Sequence, residues 1–155
     1  MARILKFTHF YVISFLMFVS AGCAHKSPWQ YQQMVSCAPE YQSSKLTLPP
    51  PNPFNGIGIE LIQREGSTRG FFNVHAGHMS SDEGVIWINN QPICFKGTLM
   101  EGNQRLLLPA AITRDIIQAL TERQSVTASV PGYVTTLSEL TAQTALKFKE
   151  LSSFL

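Results

Sequence analysis

Between residues 57 and 135 the chain alternates apolar and polar positions with the two-residue period of half-buried strands. Ile57, Ile59 and Leu61 are separated by Gly58 and Glu60, so one side of this segment is set to face a core. Over 69–76, Phe71, Asn73 and His75 alternate with Phe72, Val74 and Ala76. Runs at 85–88 and 92–100 are joined through Asn89-Asn90, a hairpin-like connection. Gly102-Asn103 marks a second compact turn before a run at 104–108, and Pro131-Gly132 separates 126–130 from 133–135. The pattern predicts about seven short strands.

The period changes twice. After Pro109, Ile112, Ile116, Ala119 and Leu120 recur at helical spacing, and proline suits the first position of a helix. Thr136-Leu137-Ser138-Glu139 has the form of a capping box. It would open a second helix with Leu140, Thr144, Phe148, Leu151 and Leu155 on one face. The expected fold is therefore mainly β, a small sandwich or partly open barrel with two helices, the second covering one end or edge of the sheet. Residues 57–155 form a single domain on this reading. Before them, 24–45 are polar and irregular, and 46–56 contain Pro49, Pro50, Pro51 and Pro53, which predict an extended spacer.

The N-terminus carries a different pattern. Residues 1–9 include Arg3 and Lys6, residues 10–19 are apolar without a charge, and Ser20-Ala21-Gly22-Cys23 follows. A basic start, a short apolar run and a small-residue cleavage site predict a secretory signal peptide over 1–22. The run is too short to span a bilayer, which takes about 20 residues. The segment Val19-Ser20-Ala21-Gly22-Cys23 resembles the lipobox of bacterial lipoproteins, with Ser20 where that family favours leucine. The resemblance implies that Cys23 becomes the acylated first residue of the mature protein, and that 23–56 is a lipidated, proline-rich segment. It further implies a membrane anchor in the cell envelope. Ala24 in place of aspartate points to the outer rather than the inner membrane. Two or three acyl chains make such an anchor durable, whereas one gives marginal binding.

Three cysteines are present: Cys23, Cys37 and Cys94. With Cys23 acylated, Cys37 and Cys94 remain as one pair in an oxidising compartment, where a disulfide is the natural expectation. Closing a loop of that length would stabilise the fold by roughly 4 kcal/mol in the chain-entropy picture. The alternatives are two free buried thiols or a metal pair, the latter disfavoured because no partner stands at ligand spacing. The order of a cysteine-bearing N-terminal segment, a β meander, Leu106-Leu107-Leu108-Pro109 leading into a helix, a strand pair and a final helix resembles invasion-associated locus B-type periplasmic domains over about residues 35–155. That resemblance implies a layout and brings no catalytic motif.

The charge balance narrows the function classes. The chain has 12 Lys and Arg against 10 Asp and Glu. The excess is Arg3 and Lys6, so the body is neutral overall and nucleic acid is not an expected partner. With 14% charged and 45% hydrophobic residues the chain is too apolar for a disordered one. No nucleophile elbow is present: Gly66-Ser67-Thr68-Arg69-Gly70 departs from G-x-S-x-G, and no phosphate-binding glycine loop occurs. Asp82-Glu83 reads as a solvated turn. His75 and His78, three residues apart and followed by those acids, form the one weak candidate metal site. Phe71 and Phe72 must face opposite sides of one strand, so one of them needs cover outside the core or offers a patch to a partner. No cofactor and no enzymatic activity are expected. The leading expectation is a lipid-anchored, non-catalytic binding or structural protein contacting another envelope component. The alternatives are a periplasmic metal or small-ligand binder using His75 and His78, and an inhibitor or accessory factor of an envelope enzyme.

Overall fold

The computed structural model describes residues 28–34 and 42–140, together with Thr144 and Phe148. The strands are β1 (Gln30–Met34), β2 (Ser43–Leu48), β3 (Gly58–Arg64), β4 (Ser67–Asn73), β5 (Glu83–Ile88), β6 (Gln91–Lys96), β7 (Thr98–Leu99), β8 (Arg105–Leu107), β9 (Val126–Val130) and β10 (Tyr133–Leu137). A single helix with defined bounds, α1 (Ala110–Thr121), lies between β8 and β9. The strands make a six-stranded sheet in the order β1-β2-β3-β4-β8-β7 and a four-stranded sheet in the order β10-β9-β5-β6. The fold is mainly β, as the alternation predicts.

The described residues give ten strands rather than about seven, and one helix rather than two. Two additional strands come from 24–56, the stretch expected as irregular chain and proline spacer. Gln-Tyr-Gln-Gln-Met hides its strand character because its apolar positions are few, yet it pairs with β2 from Gln30 opposite Thr47 to Met34 opposite Ser43. The third arises where the run at 92–100 breaks at Gly97. β6 belongs to the four-stranded sheet and β7 to the six-stranded one, so the chain changes sheets within one residue, as strands do at sheet corners. A Cβ at Gly97 would stand 2.6 Å from the Leu107 carbonyl oxygen, which leaves only glycine for that corner. The expected helix after Glu139 falls mostly outside the described residues, where only Thr144 and Phe148 are seen, both helical.

Both sheets and the helix share one core. Leu46, Ile59, Leu61, Phe72 and Leu106 come from the six-stranded sheet, Ile86, Phe95, Val126, Ala128 and Leu137 from the four-stranded one, and Ile112, Ile116, Ala119 and Leu120 from α1. Phe72 and Phe95 meet edge to face across the core with ring centroids 6.0 Å apart. The helix approaches β4 closely because Gly70 has no side chain there: a Cβ would lie 2.7 Å from Thr113 Oγ1. Pro109 sits just before α1 as its N-cap and accepts from Thr113 N at 3.0 Å, one position earlier than the sequence suggests.

The second meeting of the sheets is sealed by hydrogen bonds. Trp29 Nε1 donates to the Ser138 carbonyl at 2.9 Å, and Ile57 N donates to Thr135 Oγ1 at 2.7 Å. Tight turns fix the register. Glu65-Gly66 and Asn89-Asn90 all carry positive φ, the geometry of two-residue hairpin turns. The β3–β4 turn is thus Glu65-Gly66, and β4 starts at Ser67.

Candidate functional site

The outward side of the six-stranded sheet assembles a group of polar side chains linked through Glu60. Strand register places Lys45 opposite Ile62 and Ile62 opposite Arg69, Thr47 opposite Glu60 and Glu60 opposite Phe71, and Asn73 opposite Arg105. Their neighbours Leu46, Leu61, Phe72 and Leu106 point the other way into the core. Period-two alternation therefore puts Lys45, Glu60, Ile62, Arg64, Arg69, Phe71, Asn73 and Arg105 on a single surface.

Glu60 is the hub. It is buried although it lies on the outer side, because its partners close over it. Lys45 Nζ stands 3.1 Å and Arg105 Nη2 3.0 Å from Glu60 Oε1. Asn73 Nδ2 donates to Oε2 at 3.3 Å. An ionised carboxylate taken out of water needs this number of partners to be tolerated. Arg105 makes a second contact, its guanidinium lying 3.9 Å above the centre of the Phe71 ring. A cation over an aromatic face is attracted to the ring quadrupole. Phe71 thereby stays buried at 7% exposure without facing the core, so the second phenylalanine of the pair is covered by an arginine and its own sheet. Arg105 Nε is buried with no hydrogen-bond partner among the described residues.

Beside this network lies a groove of about 450 Å³ lined by Ile62, Arg64, Glu65, Ser67, Arg69 and Phe71. Ile62 and Phe71 form its apolar floor. Arg64 pairs with Glu65 at 3.2 Å, both exposed. Arg69 has no ion-pair partner among the described residues. The face as a whole holds Lys45, Arg64, Arg69 and Arg105 against Glu60 and Glu65. The other described charges are Lys96, Arg114 and Arg123 against Asp82, Glu83, Glu101, Asp115, Glu122 and Glu139. Charge among the described residues is therefore polarised in space, with net +2 on one sheet face and −3 elsewhere. Residue counting does not reveal this, because it depends on which strands become neighbours.

The positions singled out in the sequence lie elsewhere. Cys23 and the proposed signal segment are outside the described residues, as is Cys37. Cys94 is an exposed free thiol on β6, on the outward side of the four-stranded sheet, where it pairs in register with Val85. A second groove, about 650 Å³, runs past it between Val85, Lys96, Ser129 and Pro131. His75 is not on the strand face of Phe71 and Asn73, since β4 ends at Asn73. Both histidines are exposed in the following loop, which is pinned to the β7–β8 turn. His78 Nδ1 is 2.8 Å from the Gly102 carbonyl, and Gln104 Nε2 donates to the Gly77 carbonyl at 3.2 Å. Met79 plugs the loop into the core at 1% exposure. Among the described residues no three His, Cys, Asp or Glu side chains gather closely enough to hold a metal ion.

Sequence reasoning missed the Glu60 network. The available signal was Glu60 between Ile59 and Leu61, an acid at an outward strand position flanked by core residues; its cationic partners come from β2 and β8 and carry no local mark. No protein family, curated protein or solved structure is matched by this chain.

Proposed function

We infer that this is a lipid-anchored protein of the bacterial cell envelope whose β-rich domain binds another envelope component through the outward face of the six-stranded sheet. The two sheets, joined at the Gly97 corner, read as a small sandwich that serves as the rigid support of that face. The observation that carries the interface is the charged surface around Phe71. Four cations and Glu60 stand on hydrogen-bonded strands, with Glu65 in the β3–β4 turn and an apolar floor beside them. Sites built on strands hold their groups more firmly than sites on loops, and arginine with an aromatic residue is the composition of protein recognition surfaces. The anchor is supported by the Val19–Cys23 resemblance to a lipobox and by the basic, then apolar, segment before it.

The envelope assignment is tested by the intact mass of the protein extracted from a membrane fraction. Loss of residues 1–22 with acyl mass on Cys23 is the expected result; a mass matching the full chain would overturn it. The interface is tested by crosslinking in intact cells followed by purification. A partner should be retained by the wild type and lost with Arg69→Glu.

A further inference from the structure

Resting on that reading, we propose that the groove between Arg64 and Arg69 receives the carboxylates of an acidic segment of a partner protein. The acids on this face are already engaged. Glu60 is shared by Lys45 and Arg105, and Glu65 faces Arg64. Arg69 is left with no acid among the described residues. Arg64 stands opposite Ser67 and Arg69 opposite Ile62, so the two arginines are diagonal neighbours across β3 and β4, about 7–8 Å apart at the backbone. Glu65 offsets the charge of Arg64, so the excess positive charge at this end of the face is that of Arg69, and an anion placed between the two side chains is attracted to it. Guanidinium groups bind carboxylates through two parallel hydrogen bonds, a geometry lysine lacks.

The floor fits the same occupant. Ile62, half-buried beside the arginines, presents apolar surface to the methylenes of a glutamate or to an apolar side chain next to it. A membrane surface is the poorer match. Binding in a lipid interface uses apolar side chains that reach into the acyl boundary, whereas Phe71 is buried under Arg105 and the arginines flank a depression. The charge of the other described residues, net −3, adds direction, since an acidic partner is attracted to this face and disfavoured by that excess.

The test uses the full-length protein in detergent and fluorescein-labelled hexaglutamate, capped at both ends, with hexaglutamine and vesicles of neutral and anionic phospholipid as the other arms. Hexaglutamate should bind and hexaglutamine should not. Arg69→Gln should weaken binding about tenfold and Arg64→Gln with Arg69→Gln should abolish it. Arg69→Lys, which keeps the charge and loses the fork, should fall between, and Lys96→Gln on the other sheet should have no effect. Both arginines are exposed, and unchanged thermal unfolding of the variants separates a binding loss from a folding loss. Hexaglutamate binding that survives the double substitution would overturn the proposal, as would arginine-dependent capture of anionic vesicles without peptide binding. If the in-cell crosslink still maps to this face in the double variant, the acidic-segment proposal fails while the interface stands. If no crosslink maps there, both fail.

Discussion

The outward faces of the two sheets are built on the same alternation and end as opposites. On the six-stranded sheet, Lys45, Glu60, Arg69 and Arg105 surround Phe71, and the carboxylate at the centre is buried by its own partners. On the four-stranded sheet the corresponding rows are Val134, Ser129, Val85 and Cys94, then Thr136, Thr127, Trp87 and Pro92. Those two rows hold no charge and, among the described residues, one side-chain hydrogen bond, between Thr127 and Thr136 at 3.2 Å; charge enters only in the next row, where Glu83 stands opposite Lys96 and Lys96 pairs with Asp82 at 3.5 Å. The four-stranded face has the larger groove, yet few groups that fix the orientation of a ligand. Groove volume and convergent charge are therefore weighted to different sides of the molecule. A groove becomes selective through convergent polar groups more than through size.

The contrast can be broken most severely at Phe71. Phe71→Ala should cost about 3 kcal/mol in urea unfolding, because the ring is buried and its removal also strips Arg105 of its contact. Val134→Ala on the opposite face, at 60% exposure, should change stability by less than about 0.5 kcal/mol. Equal losses at the two positions would mean that the faces do not differ in packing. Glu60→Gln comes next, at about 1–3 kcal/mol, since it leaves Lys45 and Arg105 facing each other without the shared carboxylate. Adding salt should shrink that difference only in part, because Glu60 is sheltered while its cations are half-exposed.

Cys94 sharpens the other side of the comparison. As an exposed free thiol it should take one N-ethylmaleimide in the folded, unreduced protein, read by mass. Protection that reduction removes would instead mark a bridge to Cys37. The smallest effect is expected at the Thr127–Thr136 contact, where Thr136→Val should shift stability by about 0.5 kcal/mol or less.

How far the sequence foretold the molecule follows from the range of the interactions involved. The core side of β3 was readable from Ile57, Ile59 and Leu61, and the buried side of α1 from Ile112, Ile116, Ala119 and Leu120, because each is a local period. The turns at Asn89-Asn90 and Pro131-Gly132 were readable for the same reason. β1 was hidden because Gln30–Met34 has only Tyr31 directed toward the core. The break between β6 and β7 was hidden because Gly97 is required by Leu106 and Leu107 ten residues away. The charged face was invisible for a stronger reason. Lys45, Glu60, Asn73 and Arg105 span 60 residues of chain and become neighbours only through the pairing of β2, β3, β4 and β8. The histidine loop shows the reverse: a conspicuous local motif whose described role is to pack Met79 and fasten the β7–β8 turn.

The six-stranded face is the proposed surface for a partner. Its most direct test is site-specific photocrosslinking in intact cells, with the crosslinking amino acid at Ser67 in the arginine groove and, in a matched strain, at Thr136 on the four-stranded face. A discrete adduct from position 67 that is absent from position 136 and lost with Arg69→Glu is the predicted result. An adduct from position 136 with none from position 67 would contradict it and move the interface to the face that carries Cys94.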